Sequence, residues 1–458
     1  MRTDLLSDPI AGLDEALAVG DAFDDVLVAG LLRPQKIVGL TELAEALAGS
    51  PLASRVAEAA EKTAAGAAGE DHFVSLAAAR TAVFGSVHDA VLARLAEATG
   101  RPWEEEEAVR RVSASDLPNL LAAARSWLSD LARAGWQGID HDLISASAPT
   151  ISALLAEPSL RRLAVLLDGF AAELAASCPG AALERVPVRR WGDLWSRGML
   201  LTLPSATPAL GTVTGRLLPL GVDLLEHSTA AQAQVHAVFE PEDGSTPRLV
   251  RASVTVPKPD TVIGAGIWQL LRPRLSLLTA IGEGRSMELT EMPVTAEGDL
   301  LWQDGHARLG EPADAFSTAR VALPKAAMPS VAPLDRHPVR IAVPVFLEGY
   351  GIEGEEDALT FTFAGNHLAV ETDRIPAAGP LTPKAVASSS ACIGLIRWDG
   401  GFRLQPLAVE TTVRKKTTAV HAGAWAGGTT DKAGVKAEKA ATDAAAVLRE
   451  RAGRLLRK

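Results

Sequence analysis

Residues 215–254 read GRLLPLGVDLLEHSTAAQAQVHAVFEPEDGSTPRLVRASV, and here the chain changes character. Upstream the sequence is rich in Ala and Leu at helical spacing. From here to about position 420 it reads as strands joined by turns. Within the stretch, residues 234–239 alternate, with Val235, Ala237 and Phe239 on one face, as a half-buried strand does. Residues 241–247, PEDGSTP, are all turn formers. Beyond them Leu249, Arg251, Ser253 and Thr255 alternate with Val250, Ala252, Val254 and Val256, which predicts a β-hairpin.

Two strings recur downstream. VRASV at 250–254 is echoed by VRIAV at 339–343, and LLWQDGHARL at 300–309 by LIRWDGGFRL at 395–404. Asp304-Gly305 and Asp399-Gly400 are strong hairpin signals, because a type I′ turn needs positive φ at both central residues. The spacing of roughly ninety residues predicts two related β units, a duplication for which chance recurrence is the plainer alternative.

Working back toward the N-terminus, residues 1–180 predict an irregular stack of helices. A helix is expected to start at Thr41, and another at Ser50-Pro51, with serine as cap and proline in the first turn. Residues 73–98 carry Val83, Val87, Val91, Leu92 and Leu95 on one face. Trp103 to Glu107 should open a further helix, its carboxylates against the helix dipole. Ser115-Asp116 should cap the helix holding Leu121, Trp127 and Leu131, which stops at Gly135. Residues 158–177 form an amphipathic helix.

The fold class expected is therefore α+β: an all-helical domain over 1–180, then a mainly antiparallel β region with a basic tail behind it. The β region divides at 181–330, with an inserted helix over 262–281 bent near Pro273, and at 331–425. Residues 426–458 form a linker and a basic helical tail. From 431 onward eight basic residues face four acidic ones.

The chain has 458 residues, 47% hydrophobic and 22% charged, with a formal net charge of -11. That length divides into two or three domains with sizeable cores. The acidic balance argues against a general nucleic-acid binder, leaving only residues 427–458 as a candidate for such contact. No basic region followed by an apolar run opens the sequence, and no apolar run approaches the roughly twenty residues of a membrane span. A soluble cytoplasmic protein that engages no membrane is expected. Cys178 and Cys392 lack metal-ligand spacing and read as small buried hydrophobes in a reducing compartment.

Phosphate-loop, dinucleotide, HExxH, GxSxG, CxxC and SxxK motifs are absent from the sequence, so no cofactor and no metal is expected. Asp140-His141-Asp142 reads as a polar turn, and the acidic run 353–357 as a solvated loop. The segment VRRWGDLWSRGM, 188–199, places Trp191 and Trp195 on one helical face, flanked by Arg189, Arg190 and Arg197. Tryptophan and arginine are the residues enriched in binding hot spots, so these five are the candidate protein-binding anchor. The alternative is that both tryptophans wedge the two halves together while the arginines pair with acidic neighbours. Asp223, Glu226 and His227 are the candidate polar site of a second reading, a hydrolase working in a cleft between the helical and β halves.

RRWGDLW (189–195) and GRLLPLGVDLLEH (215–227) are similar to strings in bacterial proteins of high-GC organisms whose genes cluster with those of MoxR-type AAA+ ATPases and von Willebrand A-domain proteins. The resemblance covers about a tenth of the chain and carries no catalytic motif. It implies a companion of an ATP-driven assembly. The leading expectation is a non-enzymatic scaffold or adaptor that binds other proteins, among them an AAA+ ATPase and a von Willebrand A-domain protein.

Overall fold

Helices predominate among the described residues as far as Leu201, with a two-residue strand, Arg111–Val112, paired with Ala206–Thr207. The structure, a computed structural model, describes residues 2–32, 37–102, 111–112, 117–203, 206–207, 210–227, 230–259, 262–271, 276–355, 358–363, 365–413, 416–428 and 431–455. The starts expected at Trp103 and Ser115, and the bend at Pro273, lie outside these residues. Helices α1 (Leu13–Ala29), α2 (Glu70–Thr99), α3 (Pro118–Ala134), α4 (Arg161–Ala176) and α5 (Val188–Leu201) close around Phe23, Trp127, Trp136, Phe170, Trp191 and Trp195. The helical core thus takes in α5, beyond position 180 where composition places the boundary. Gly135 ends α3 at φ 68°, a conformation that would strain any residue with a Cβ. The helix expected at Thr41 starts earlier, at Val38, and the one expected at Ser50 begins at Ala53.

The helix α2 joins the two halves. Its 30 residues span about 45 Å. Phe73, Leu76 and Val83 lie in the helical core, whereas Val87, Val91, Leu92 and Leu95 lie in a second core among the strands.

After Leu201 come β1 (Gly211–Glu226), β2 (Ala230–Pro241) and β3 (Arg248–Pro257), then α6 (Gly266–Leu271) and α7 (Ser276–Glu283). Next are β4 (Arg285–Val294), β5 (Asp299–Leu300) and β6 (Ala307–Pro312). The sheet runs β1-β2-β3-β5-β4-β6, and β4 also pairs with β1, so the path β1-β2-β3-β5-β4-β1 closes. All pairs are antiparallel except β3 with β5. This connectivity, with helices between the third and fourth strands, is that of the five-stranded Greek-key barrel called the OB-fold. Val235, Ala237, Phe239, Met287 and Leu289 fill the interior, and Trp268 of α6 joins them. The hairpin read at 234–256 is present. Its first strand is buried on both faces, because Val238 points instead into the second core.

A helix α8 (Ala315–Val321) and a run of short turns lead to the second β unit. Its strands are β7 (Val343–Glu348), β8 (Gly351–Glu353), β9 (Thr360–Phe363), β10 (Asn366–Val370), β11 (Ser389–Trp398), β12 (Phe402–Val413) and β13 (Lys416–His421). The order is β8-β9-β10-β12-β11-β7, with β13 added on β12. Strands β7 and β8 are one run of chain broken at Gly349 (φ 72°), so the circuit again returns to its start. Here too the third and fifth strands are parallel, and the helix α9 (Pro383–Ala387) precedes the fourth.

The two units therefore share one topology, but the recurring strings do not fall on equivalent strands. VRASV lies in β3, whereas VRIAV precedes β7. Asp399–Gly401 is a three-residue loop joining β11 to β12, with Gly400 at φ 66°. Asp304-Gly305 closes no hairpin. It forms a 3-10 turn (Asp304–His306) between strands that do not pair, and its carboxylate accepts hydrogen bonds from Ser276 N at 3.0 Å and Trp302 Nε1 at 2.9 Å. The tail is the helix α10 (Lys432–Leu455). No helix among the described residues is long and apolar enough to cross a membrane.

Candidate functional site: the seams between the units

Charged side chains gather where the units meet. On α5 the tryptophans point inward: Trp191 and Trp195 are buried in the helical core. Trp195 Nε1 donates to Leu128 O at 2.9 Å, and Trp191 meets Trp136 edge-on at 5.6 Å. The exposed anchor expected from the sequence is corrected here. The i, i+4 spacing that resembles a hot-spot pair is the core stripe of an amphipathic helix. Nor do the tryptophans wedge the halves; they lie wholly within the helical core.

The arginines of the same segment bind acidic neighbours. Arg189 forms a two-pronged pair with Asp21, both contacts at 2.6 Å, and Arg190 holds Glu173. Arg197 reaches Asp335 at 3.0 Å, in the chain that leads to the second barrel.

Beneath α5 lies a fully buried ion pair. Arg80 of α2 donates to both oxygens of Asp24 of α1, at 2.5 and 2.7 Å, and to the carbonyl of Arg189 at 3.1 Å. Gly192 makes room for it: a Cβ there would lie 2.7 Å from Asp24 Oδ1 and 2.8 Å from Arg80 Nη2. The guanidinium also sits 4.5 Å over the Phe84 ring, which stacks on His337 at 4.8 Å. Burial holds the His337 imidazole down at about 4. One continuous set of contacts thus runs from α1 through α2 to the connection between the barrels.

A second polar cluster lies between the barrels. Asp223 of β1 is buried, and accepts from Arg397 Nη2 and Gln405 Nε2, each at 2.7 Å. Arg397 Nε closes the triangle on Gln405 Oε1 at 2.5 Å. Nearby, Gly221 packs against Leu407, so close that a Cβ would come within 2.8 Å. One strand over, His236 is buried with Nε2 unpartnered, and it is paired in register with Arg251. Arg251 in turn binds Asp299 of β5 through two contacts, at 2.6 and 2.9 Å. Burial first, then the charges of Arg251 and Arg397, hold His236 down at about 3.

The polar trio offered for hydrolysis is not brought together. Asp223 faces the second barrel. Glu226, three residues on, belongs to the opposite face of an alternating strand and binds Lys258 at 3.3 Å. His227 lies about 13 Å further along the strand than Asp223, exposed at the turn, where its N–H donates to Ala230 O. Neither the apolar 430 Å³ cleft beside Leu47 and Val83 nor the 750 Å³ cleft at the mouth of the first barrel, near Thr212 and Arg248, touches any of the three. Asp140 caps a short helix by accepting from Leu143 N at 2.8 Å. Among the described residues no group of three or more His, Cys, Asp or Glu is placed to hold a metal. Cys392 is buried, and burial pushes its thiol up.

Sequence reading missed Asp24, Arg80, His236 and Asp335. Three of them left a signal: each is a polar residue inside an apolar face, as in Val-His-Ala-Val-Phe at 235–239 or Arg80 between Ala79 and Val83.

His236 carries a pH consequence. Its folded pKa, about 3, lies below the ordinary 6.5, so the unfolded chain takes up the proton first and stability falls as pH drops below 6.5. By pH 4 the loss from this residue is roughly 3 kcal/mol. His236→Asn is expected to remove that share of the acid sensitivity, read as urea midpoints at pH 7, 5 and 4. An unchanged pH dependence would refute it.

No family model, no curated protein and no solved structure matches this chain.

Proposed function

We propose that the chain is a scaffold or adaptor in a multi-protein assembly, and that α10 is one of its contact elements. The observation that carries this is the way α10 stands on the body. Gln269 Nε2 donates to Glu438 O and to Thr442 Oγ1, both at 3.1 Å, and Ala437 packs on the core of the first barrel. Beyond Glu438 the helix presents exposed residues, Lys439, Val447, Arg449, Arg451 and Arg454 among them. With +4 on residues 431–458 and -11 on the whole, the rest of the chain carries -15. A basic helix projecting from an acidic body is a surface of opposite sign to its surroundings, suited to steering an acidic partner. The resemblance of the 189–195 and 215–227 strings makes a MoxR-type AAA+ ATPase and a von Willebrand A-domain protein the first partners to try.

Affinity purification from the native host should recover a stoichiometric complex that weakens with salt and disappears on deletion of residues 427–458. Glu226→Ala and His227→Ala should leave it intact. Recovery of nucleic acid in place of protein, or a complex indifferent to the deletion, would refute the proposal.

A further inference from the structure

One carboxylate, that of Asp335, holds three guanidiniums. It ends the 3-10 turn Pro333–Asp335 between the barrels and accepts from Arg162 Nη2 of α4 at 3.0 and 3.3 Å. Arg197 Nη2 of α5 approaches to 3.0 Å, and Arg340 Nη1 to 3.3 Å. Asp193 adds one longer contact to Arg197, at 3.8 Å. Three positive charges therefore face two negative ones, on a chain whose net charge is -11.

The donors outnumber the acceptors. A carboxylate accepts about four hydrogen bonds, whereas each guanidinium offers about five donors in a fixed fork. The surplus is visible at Arg197, whose side chain is 9% exposed and whose buried Nε has no partner. Burial, together with the like charges of Arg340 and Arg162, holds this guanidinium below its ordinary value. The other two arginines reach solvent, with side chains 51% and 40% exposed for Arg162 and Arg340. Apolar side chains flank them. Val165, one turn along α4 from Arg162, is 65% exposed, and Val339, next to Arg340, is 57% exposed.

The geometry points to this cluster as the docking site for an acidic, apolar peptide segment of a partner protein. The partner's carboxylates bind Arg162 and Arg340, its apolar side chains rest on Val165 and Val339, and Asp335 occupies the guanidiniums when the site is empty. Paired charge-assisted hydrogen bonds supply the recognition, and the valines supply the apolar contact that a free anion cannot make. This rests on the adaptor reading and deepens it, adding a second contact surface and the chemistry of the segment it takes.

The test uses the full chain and a fluorescein-labelled peptide alternating Leu with Glu, beside its Leu/Gln counterpart, read by anisotropy. The acidic peptide should bind and the neutral one should not. Arg162→Gln with Arg340→Gln should weaken binding about tenfold, and Arg162→Lys with Arg340→Lys less so. Asp335→Asn should tighten binding by about threefold or more, since it removes the internal competitor, an effect that loss of structure does not produce. Equal binding of both peptides, no change in the Gln double variant at an unchanged melting temperature, or Asp335→Asn binding no tighter than the parent would overturn the inference. So would competition by inorganic phosphate as strong as by unlabelled peptide, which would mark a site for small anions only. Deleting residues 427–458 should leave peptide binding unchanged. Failure of the tail-dependent complex is thereby distinguished from failure of this site.

Discussion

Asp24→Ala is expected to destabilise the protein by about 3–5 kcal/mol, the usual cost of leaving one partner of a buried ion pair without the other. Arg80 and Asp24 are 1% and 0% exposed, so water cannot take the place of the lost carboxylate. The loss falls on the guanidinium, which keeps the Arg189 carbonyl and the Phe84 ring. The pair itself is not a large source of stability. Burial raises the Asp24 carboxyl above its ordinary value more than Arg80 lowers it. Its effect is to fix how α1, α2 and α5 meet. Asp24→Leu with Arg80→Met should therefore recover much of the loss. Urea melts of the two variants decide the matter: a single variant within about 1 kcal/mol of the parent would show that the guanidinium finds another partner.

The second large effect is expected at Asp223. Asp223→Ala removes the acceptor that joins β1 of the first barrel to Arg397 and Gln405 of the second, both part of the inter-barrel seam. Arg397 and Asp223 have side chains 13% and 3% exposed, and the expected cost is about 2–4 kcal/mol. Amide hydrogen exchange should rise in β1 and β12, while the helical core around Trp195 keeps its protection. His227→Ala should cost less than about 1 kcal/mol, because His227 is exposed, and Glu226→Ala an intermediate amount, because Glu226 is 35% exposed whereas its partner Lys258 is 1% exposed and keeps the Val262 carbonyl. Equal destabilisation by all three would refute the assignment of Asp223 as the joint of this seam.

Both positions show where sequence reading reached its limit. Residues 73–98 announce a helix through their apolar period, and Arg80 stands inside that stripe as an exception, as Asp24 does among the buried residues of α1. Nothing local says that the exceptions meet, since 56 positions separate them. The same holds for Asp223 and Gln405, 182 positions apart. Trp191 and Trp195 illustrate the converse. Their spacing fixes a shared face, but an apolar face looks the same in sequence whether a partner or the protein's own core covers it.

The sequence by itself determined the α+β class, the passage from a helical half to a β half, the hairpin at 234–256 and the basic tail, because period, turn chemistry and charge act over a few residues. Only the tertiary structure decided that both sheets follow one closed strand order, that Trp191 and Trp195 face inward, and that three arginines from separate elements converge on Asp335. Each of these depends on contacts between segments far apart in the chain, and such contacts form only when the whole chain buries its apolar surface at once.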